Sequence, residues 1–205
     1  MILVDMSQIM MASIMMQMHI SKKSEPDEEM VRHMILNSLR MYRTRFLSEF
    51  GEMVLCYDSR HYWRRDYFPE YKHSRRKNRG KDDKNWDIIF NCLNTIKEEV
   101  KANMPYKSVE VYGAEADDII GTLCSESSDE VMILSGDKDF IQLQRYPNVK
   151  QYSPITKKMI NGINPDDYLM EHVLKGDTSD GVPNVLSPDN TFVDGIRQRP
   201  LSKKK

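Results

Sequence analysis

The chain has 205 residues, 40% of them hydrophobic, and a formal net charge of −1. This length accommodates one core domain with at most a small appendage, and so small a net charge predicts no particular class of partner. The three cysteines lie in apolar patterns without metal-ligand spacing, which favours buried free thiols in a reducing compartment over a metal or redox site.

The chain opens with an apolar run that Asp5 interrupts and that has no basic segment before it. The run is shorter than the ~20 residues of a membrane span, so we expect neither a signal peptide nor a membrane segment. It predicts a first strand followed by a buried, methionine-rich helix. In all, five β-rich runs are predicted as strands: residues 2–5, 52–58, 108–113, 130–137 and 149–153.

Helical patterns separate these strands. Apolar residues recur at helical spacing from Met30 to Phe50, and again from Ile89 to Val100. A further helix is expected to open at Glu115, and another at Pro165 with Asn164 as its cap. Strands that alternate with helices predict an α/β fold with a central, mostly parallel sheet and helices on both faces.

Acidic residues follow the strands of this predicted sheet. Ligands of such sheets bind beyond the carboxyl ends of the strands, so these acids are expected to meet at one edge. They are Asp5, Asp58, Glu115, Asp117, Asp118, Asp137 and Asp139. Each alone is explained by a helix cap or a turn. Together they repel one another, and oxygen-only ligands suit magnesium or manganese, so we predict a site for two such ions.

Residues 60–81 hold nine Lys or Arg against two acids, with five aromatic residues among them. A solvated loop is one interpretation of this run. We favour contact with nucleic acid, because cations hold phosphates and aromatic rings stack on bases. The candidate cations are Arg64, Arg65, Lys72, Arg75, Arg76, Lys77, Arg79 and Lys81.

A turn-rich stretch, "KGDTSDGVPNV" at residues 175–185, is a second candidate contact. One interpretation is a plain surface loop. The other is a turn whose backbone at Gly181 and Val182 meets phosphates, while Asp177 and Asp180 complete the metal site. The residue pattern alone favours neither interpretation. From Ser187 to Lys205 the pattern predicts a loop and a frayed tail.

Several motifs of the chain resemble, in the same order, those of the structure-specific 5′-nucleases, the family of flap endonucleases and 5′→3′ exonucleases. The similarity is closest to the ribonuclease H branch found in T-even bacteriophages. It runs through about nine-tenths of the chain and rests on "LVDMSQ", "VRHMILNS", "VLCYDSRHYWRRD", "KNRGK", "EADD", "SGDKDF", "YPNVKQYSP" and "LKGDTSDGV".

The resemblance implies a nuclease core over residues 1–153 with a basic arch at 60–84. It implies the start of a helix–three-turn–helix element at 154–186, often with bound potassium at the 176–184 turn, and a tail at 187–205. The acids named above, with Asp177 and Asp180, take metal-site positions, although Asp118 is a weaker match. Lys72 would lie near the scissile phosphate, and Arg75 would be a second arch cation.

The implied activity is magnesium-dependent 5′→3′ exonuclease and flap endonuclease cleavage of RNA–DNA and DNA–DNA duplexes. Its role would be RNA primer removal during phage replication in the cytoplasm of the infected host. A monomer is expected, with a single-stranded DNA-binding protein and a sliding clamp as further partners. The chain ends before the last helices of that branch, so an inactive DNA-binding remnant is one alternative. A single-strand ribonuclease of the related PIN type is the other.

Overall fold

The computed structural model describes residues 1–80 and 84–201, apart from the side chains of Arg76 and Asn78, and divides them into two units. The sheet unit comprises residues 1–61 and 84–163, and the basic unit comprises the described residues of 62–80 and 164–201. Lys81 and the side chain of Arg76, both expected at a nucleic-acid interface, lie outside the described residues.

The sheet unit is built on a six-stranded sheet whose order is β3-β2-β1-β4-β5-β6. The strands are β1 (Ile2–Asp5), β2 (Met53–Tyr57), β3 (Lys107–Glu110), β4 (Val131–Leu134), β5 (Val149–Ser153) and β6 (Lys158–Ile160). Every neighbouring pair is parallel except β5 and β6. The predicted α/β fold with a mostly parallel sheet is therefore confirmed.

Helices cover both faces of this sheet, as buried parallel strands require. They are α1 (Met6–Ser21), α2 (Glu28–Phe50), α5 (Trp86–Asn103), α6 (Ala116–Glu126) and a 3₁₀ helix (Lys138–Arg145). The first three pack on one face, and α6 with the 3₁₀ helix packs on the other. None of the described helices is long and apolar enough to cross a membrane.

Strand β1 shows how alternation divides the core and positions Asp5. Successive side chains of a strand point to opposite faces. Ile2 and Val4 pack with α1, α2 and α5, whereas Leu3 packs with α6. Asp5 continues the face of Leu3 and is paired with Cys56 of β2. The first acid of the predicted metal site is thus directed toward the α6 side, at the carboxyl edge of the sheet.

The basic unit contains three helices among its described residues: α3 (Trp63–Tyr67), α4 (His73–Arg79) and α7 (Pro165–Lys175). Helix α7 begins as predicted, with Pro165 in its first turn and the Asn164 side chain accepting hydrogen bonds from the next backbone amides. The described residues that follow, 176–201, form turns and one isolated bridge.

Some predicted boundaries were wrong. The runs 108–113 and 130–137 end as strands at Glu110 and Leu134, because the residues beyond them contact other segments, as Gly113 does with Ser59 and Ser135 with Asp5. Strand β6, the 3₁₀ helix and the short helices α3 and α4 were not predicted. The three cysteines are buried free thiols, as expected, and burial raises the pKa of Cys56 and Cys124 to about 12.

Candidate metal centre and nucleic-acid interface

Asp5 and Glu115 are the two buried carboxylates among the predicted metal-site residues. Asp5 ends β1 and caps α1, where one carboxylate oxygen accepts a hydrogen bond from the Gln8 amide at 3.1 Å. The other oxygen accepts a hydrogen bond from the Ser135 hydroxyl, just beyond β4, at 2.9 Å. Only 7% of the residue is exposed. Both contacts come from neutral donors, so they fix the carboxylate without cancelling its charge.

The surroundings of Asp5 oppose its ionisation. The pKa of Asp5 is raised from 3.8 to about 6, chiefly by burial, with a smaller contribution from the charges of Asp58 and Asp137, while the two hydrogen bonds act against the shift. Three carboxylates from the ends of β1, β2 and β4 therefore interact electrostatically, as the sequence predicts. A divalent cation would relieve this repulsion, and an all-oxygen set suits such an ion.

Asp58 joins the end of β2 to two helices. One of its oxygens accepts a hydrogen bond from the Ser7 hydroxyl in α1, and the other accepts one from the Ala116 amide at the start of α6, both at 2.7 Å. Because exposed amides at a helix start attract negative charge, α6 is held against the acidic edge. Its dipole partly offsets the charge that the carboxylates accumulate there.

The segment "EADD" places its acids in different roles around the first turn of α6. Glu115, only 2% exposed, caps the helix and forms a capping box with Asp118. In that box the Asp118 carboxylate accepts a hydrogen bond from the Glu115 amide at 2.9 Å. Asp117 lies half-buried between them on the same turn. The capping box gives Asp118 a local structural role.

Asp137 and Asp139 lie on a loop that several side chains fasten. The Asp137 amide donates to the Ser135 hydroxyl oxygen at 3.1 Å, and the Asp137 carboxylate accepts from the Asp139 amide at 3.0 Å. From β5, Gln151 donates to the carbonyls of Ser135 and Asp137 at 3.0 and 2.6 Å. The exposed Asp137 carboxylate is therefore held on a rigid support beside Asp5.

Four residues that contact the acids or their loop were not predicted as site residues: Ser7, Gln8, Ser135 and Gln151. The first three donate hydrogen bonds to the carboxylates of Asp58 and Asp5, and Gln151 fastens the backbone of the loop that carries Asp137. Gln8 also accepts a hydrogen bond from the Gly136 amide at 2.6 Å. Three of these residues lie inside the motifs "LVDMSQ" and "SGDKDF", directly beside the acids. That adjacency is the sequence signal that would have found them.

In the basic unit, Asp180 is surrounded by groups from the 71–75 segment. Its side chain accepts a hydrogen bond from the Tyr71 hydroxyl at 3.0 Å, and it forms ion pairs with Arg75 and, at 3.8 Å, with Lys72. Its backbone carbonyl accepts from the Lys72 amide at 2.7 Å. The two predicted arch cations and this predicted metal-site acid are thus brought together in one cluster.

Asp177 begins the tight turn that ends at Val182. Its carboxylate accepts hydrogen bonds from the amides of Ser179 and Asp180 at 2.7 and 3.3 Å. Burial opposes ionisation, but hydrogen bonds from Ser179 and Asp180 outweigh it and hold the pKa of Asp177 below its usual value. The turn needs glycine at Gly176, where φ is +66° and a Cβ atom would meet the Val182 carbonyl oxygen at 2.4 Å.

The remaining cations of the basic unit associate with aromatic rings and with one another. The guanidinium of Arg64 lies 4.9 Å from the Trp63 ring centre, and that of Arg65 lies 4.6 Å from the Tyr62 ring centre. Burial, followed by the charge of Arg75, lowers the pKa of Arg79. Lys77 is exposed on α4. Concentrated positive charge of this kind suits a phosphate backbone.

Residues 1–172 match the sequence profile of the 5′-3′ exonuclease N-terminal resolvase-like domain. The chain is 37% identical over 192 residues to the ribonuclease H of Enterobacteria phage T4, a match that covers 89% of this chain and 62% of that protein. It is 32% identical over 145 residues to a 5′-3′ exonuclease of Buchnera aphidicola, covering 65% of this chain and 48% of that one. The chain thus spans about half to three-fifths of the length of these relatives.

The fold is similar to that of the bacteriophage T5 flap endonuclease. A structure of that enzyme co-crystallised with metal ions aligns with a TM-score of 0.70 at 17% identity, over 100% of this chain and 80% of that chain. A complex of it with DNA and metal ions aligns with a TM-score of 0.68 at 18% identity, over 90% of this chain and 69% of that chain. At such identities the likeness concerns the fold.

Proposed function

The chain belongs to the 5′-3′ exonuclease family through its N-terminal resolvase-like domain, and from this premise we propose that it is a divalent-metal-dependent nuclease. It hydrolyses phosphodiester bonds of RNA–DNA and DNA–DNA duplexes from the 5′ end and cuts 5′ flaps. The observation that carries this proposal is the acidic edge of the sheet unit, where burial and, to a smaller degree, the charges of Asp58 and Asp137 disfavour the ionised form of Asp5.

Asp5, Asp58 and Asp137 are the residues that would hold magnesium or manganese directly. Glu115, Asp117 and Asp139 would contribute to the same site directly or through water, and Asp177 and Asp180 would serve a second ion. Two such ions supply Lewis-acid activation of water and stabilise charge at the phosphate. Asp118, through its capping box, keeps Glu115 and the first turn of α6 in place.

Lys72 and Arg75 would stabilise the negative charge of the phosphate during cleavage. Tyr71, Lys72 and Arg75 are fastened to the 179–181 segment, so these cations are held by a defined support. The surrounding cations Arg64, Arg65, Arg76, Lys77, Arg79 and Lys81 would hold the nucleic-acid backbone. The backbone of Gly181 and Val182, in a turn that would also accept potassium, would contact duplex phosphates.

The proposed biological role is removal of RNA primers during phage DNA replication in the cytoplasm of an infected bacterium. The similarity to a phage ribonuclease H supports this role. A monomer would suffice for the chemistry. A single-stranded DNA-binding protein and a sliding clamp would be its further partners.

The decisive experiment measures cleavage of a 5′-labelled RNA–DNA duplex with and without magnesium. We expect magnesium-dependent release of short 5′ products by the unchanged chain. Asp137→Asn should nearly abolish cleavage while leaving duplex binding intact. The matched control is Asp129→Asn, which neutralises an exposed acid before β4, at the opposite edge of the sheet.

Other outcomes point to the alternatives. Duplex binding without any magnesium-dependent product would indicate a DNA-binding remnant. Cutting of unstructured RNA without need for a 5′ end would indicate a PIN-type ribonuclease. Wild-type rates in Asp137→Asn would exclude the proposed metal site.

A further inference from the structure

Tyr112 is an exposed aromatic residue in the sheet unit whose ring is already stacked. It is 84% exposed and lies between β3 and α6. Its ring lies against that of His61, with centroids 5.5 Å apart and planes 19° from parallel. Single exposed apolar side chains are common and mean little alone. Tyr112 differs from such residues because its ring is stacked, because hydrogen bonds join the backbone segments that carry the two rings, and because acids of the proposed metal site lie on the same segments.

The backbone that carries the two rings is fastened by hydrogen bonds. The Ser59 amide donates to the Ala114 carbonyl at 2.9 Å, and the Gly113 amide donates to the Ser59 hydroxyl oxygen at 3.4 Å. Gly113, with φ of +84°, allows the chain to turn directly after Tyr112. Ser59 itself is buried. The backbones of the 58–61 and 111–115 segments are therefore joined at the positions that carry the two stacked rings.

The same two segments carry acids of the proposed metal site. His61 follows Asp58 by three residues, and Tyr112 precedes Glu115 by three. Asp58 links the segments again, because its carboxylate accepts a hydrogen bond from the Ala116 amide. A rigid aromatic surface thus borders the acidic edge at which a phosphate would be cut. In a nucleic acid, only one sugar separates this phosphate from the base of the same nucleotide.

We propose that Tyr112, supported by His61, is a stacking platform for the nucleobase beside the scissile phosphate. This inference rests on the proposed nuclease function and assigns Tyr112 a positioning role. Base–aromatic stacking tolerates any base, as an enzyme acting on many sequences requires. The phenol hydroxyl is not needed for it, whereas the ring is.

The first test compares Tyr112→Ala, Tyr112→Leu, Tyr112→Phe and Tyr112→Trp in cleavage and binding. Removing the ring should weaken binding of a 5′-flap substrate by roughly 5- to 150-fold, the range that one base–aromatic stack spans. KM should rise with kcat nearly unchanged. Phe and Trp should restore affinity, but Leu, which retains apolar area without a π-face, should not. Ile155→Ala, which truncates another exposed side chain far along the chain, is the control.

The second test does not depend on catalysis. It places 2-aminopurine at the nucleotide beside the scissile bond and follows its fluorescence on titration with Asp137→Asn protein. We expect quenching that disappears when Tyr112→Ala is added to that variant. A substrate abasic at this position should lose affinity for unchanged protein and lose nothing further with Tyr112→Ala.

The outcomes separate the two proposals. If Tyr112→Ala binds and quenches like unchanged protein, the platform is refuted while magnesium-dependent cleavage still supports the nuclease. If magnesium-dependent cleavage is absent but Tyr112-dependent quenching is present, the nuclease fails and the platform remains as a nucleic-acid contact. Equal losses for Leu, Phe and Trp would also overturn the stacking role.

Discussion

The acids of the sheet unit and those of the basic unit have opposite electrostatic surroundings. Among the described residues, Asp5 receives hydrogen bonds only from neutral donors, and burial together with the charges of Asp58 and Asp137 raises its pKa to about 6. Asp180 forms ion pairs with Arg75 and Lys72. Hydrogen bonds lower the pKa of its neighbour Asp177 despite burial. The acids around Asp5 thus lie close to further negative charge, whereas Asp180 lies close to positive charge from Lys72 and Arg75.

This contrast separates two uses of the same side chain. In the sheet unit, burial and mutual repulsion together disfavour the ionised form of an acid such as Asp5, and a bound divalent cation would offset this cost. In the metal-free protein, an acid that the fold pairs with Lys and Arg, such as Asp180, joins two segments of the chain. Neutralising an acid should therefore have effects of opposite sign on folding stability in the two units, and this difference can be measured.

The largest expected effect concerns catalysis in the sheet unit. Asp5→Asn should reduce magnesium-dependent cleavage by about 100- to 1000-fold, as expected when one fixed electrostatic contact to the reacting groups is removed. Calorimetric titration of magnesium should show weaker binding in the variant. Asp129→Asn should match unchanged protein in both measurements. Unaltered magnesium binding in Asp5→Asn would remove Asp5 from the metal site.

The same substitution should stabilise the metal-free protein. Between pH 3.8 and about 6, folded Asp5 keeps a proton that unfolded Asp5 has lost, so the free energy of unfolding falls as pH rises through that window. Above it, the cost of ionised Asp5 is up to about 3 kcal/mol. Asp5→Asn should recover much of this in urea denaturation at pH 7 with chelator present.

Two controls sharpen this prediction. The stabilisation by Asp5→Asn should shrink below pH 4, where Asp5 is protonated in both states, and should diminish when magnesium is added to unchanged protein. A variant that is less stable than unchanged protein at pH 7 without metal would show that the hydrogen bonds of Asp5 outweigh the cost of its burial and of its repulsion by Asp58 and Asp137.

Asp180→Asn should have the opposite sign. It removes the charge of a largely buried carboxylate that pairs with two cations. The free energy of unfolding should therefore fall by about 1–3 kcal/mol. The matched control is Asp189→Asn, an exposed acid in the same unit. A double-mutant cycle with Arg75→Ala should show coupling. Additive effects would mean that the Asp180–Arg75 ion pair contributes nothing to stability.

The sequence predicted those strand and helix boundaries that depend on local residue patterns. Strand β1 and the start of α7 were confirmed residue for residue, because a buried run, a cap and a proline determine them locally. The ends of β3 and β4 were not, because the residues beyond them contact distant segments: Gly113 donates a hydrogen bond to Ser59, and Ser135 donates one to Asp5, 130 residues away. The pairing of Arg75 with Asp180 spans 105 residues and has no local signal.

The smallest expected effect concerns Asp118, which lies three residues after Glu115 and completes the capping box of α6. Its carboxylate accepts the Glu115 amide hydrogen bond, a task that an Asn side-chain oxygen can also perform. Asp118→Asn should therefore leave thermal stability nearly unchanged, whereas Asp118→Ala should lower the free energy of unfolding by about 1 kcal/mol. Cleavage by Asp118→Asn should fall far less than cleavage by Asp5→Asn. If instead Asp118→Asn abolishes cleavage while folding normally, Asp118 belongs with the acids that hold the metal, and the contrast between ligands and structural acids must be drawn elsewhere.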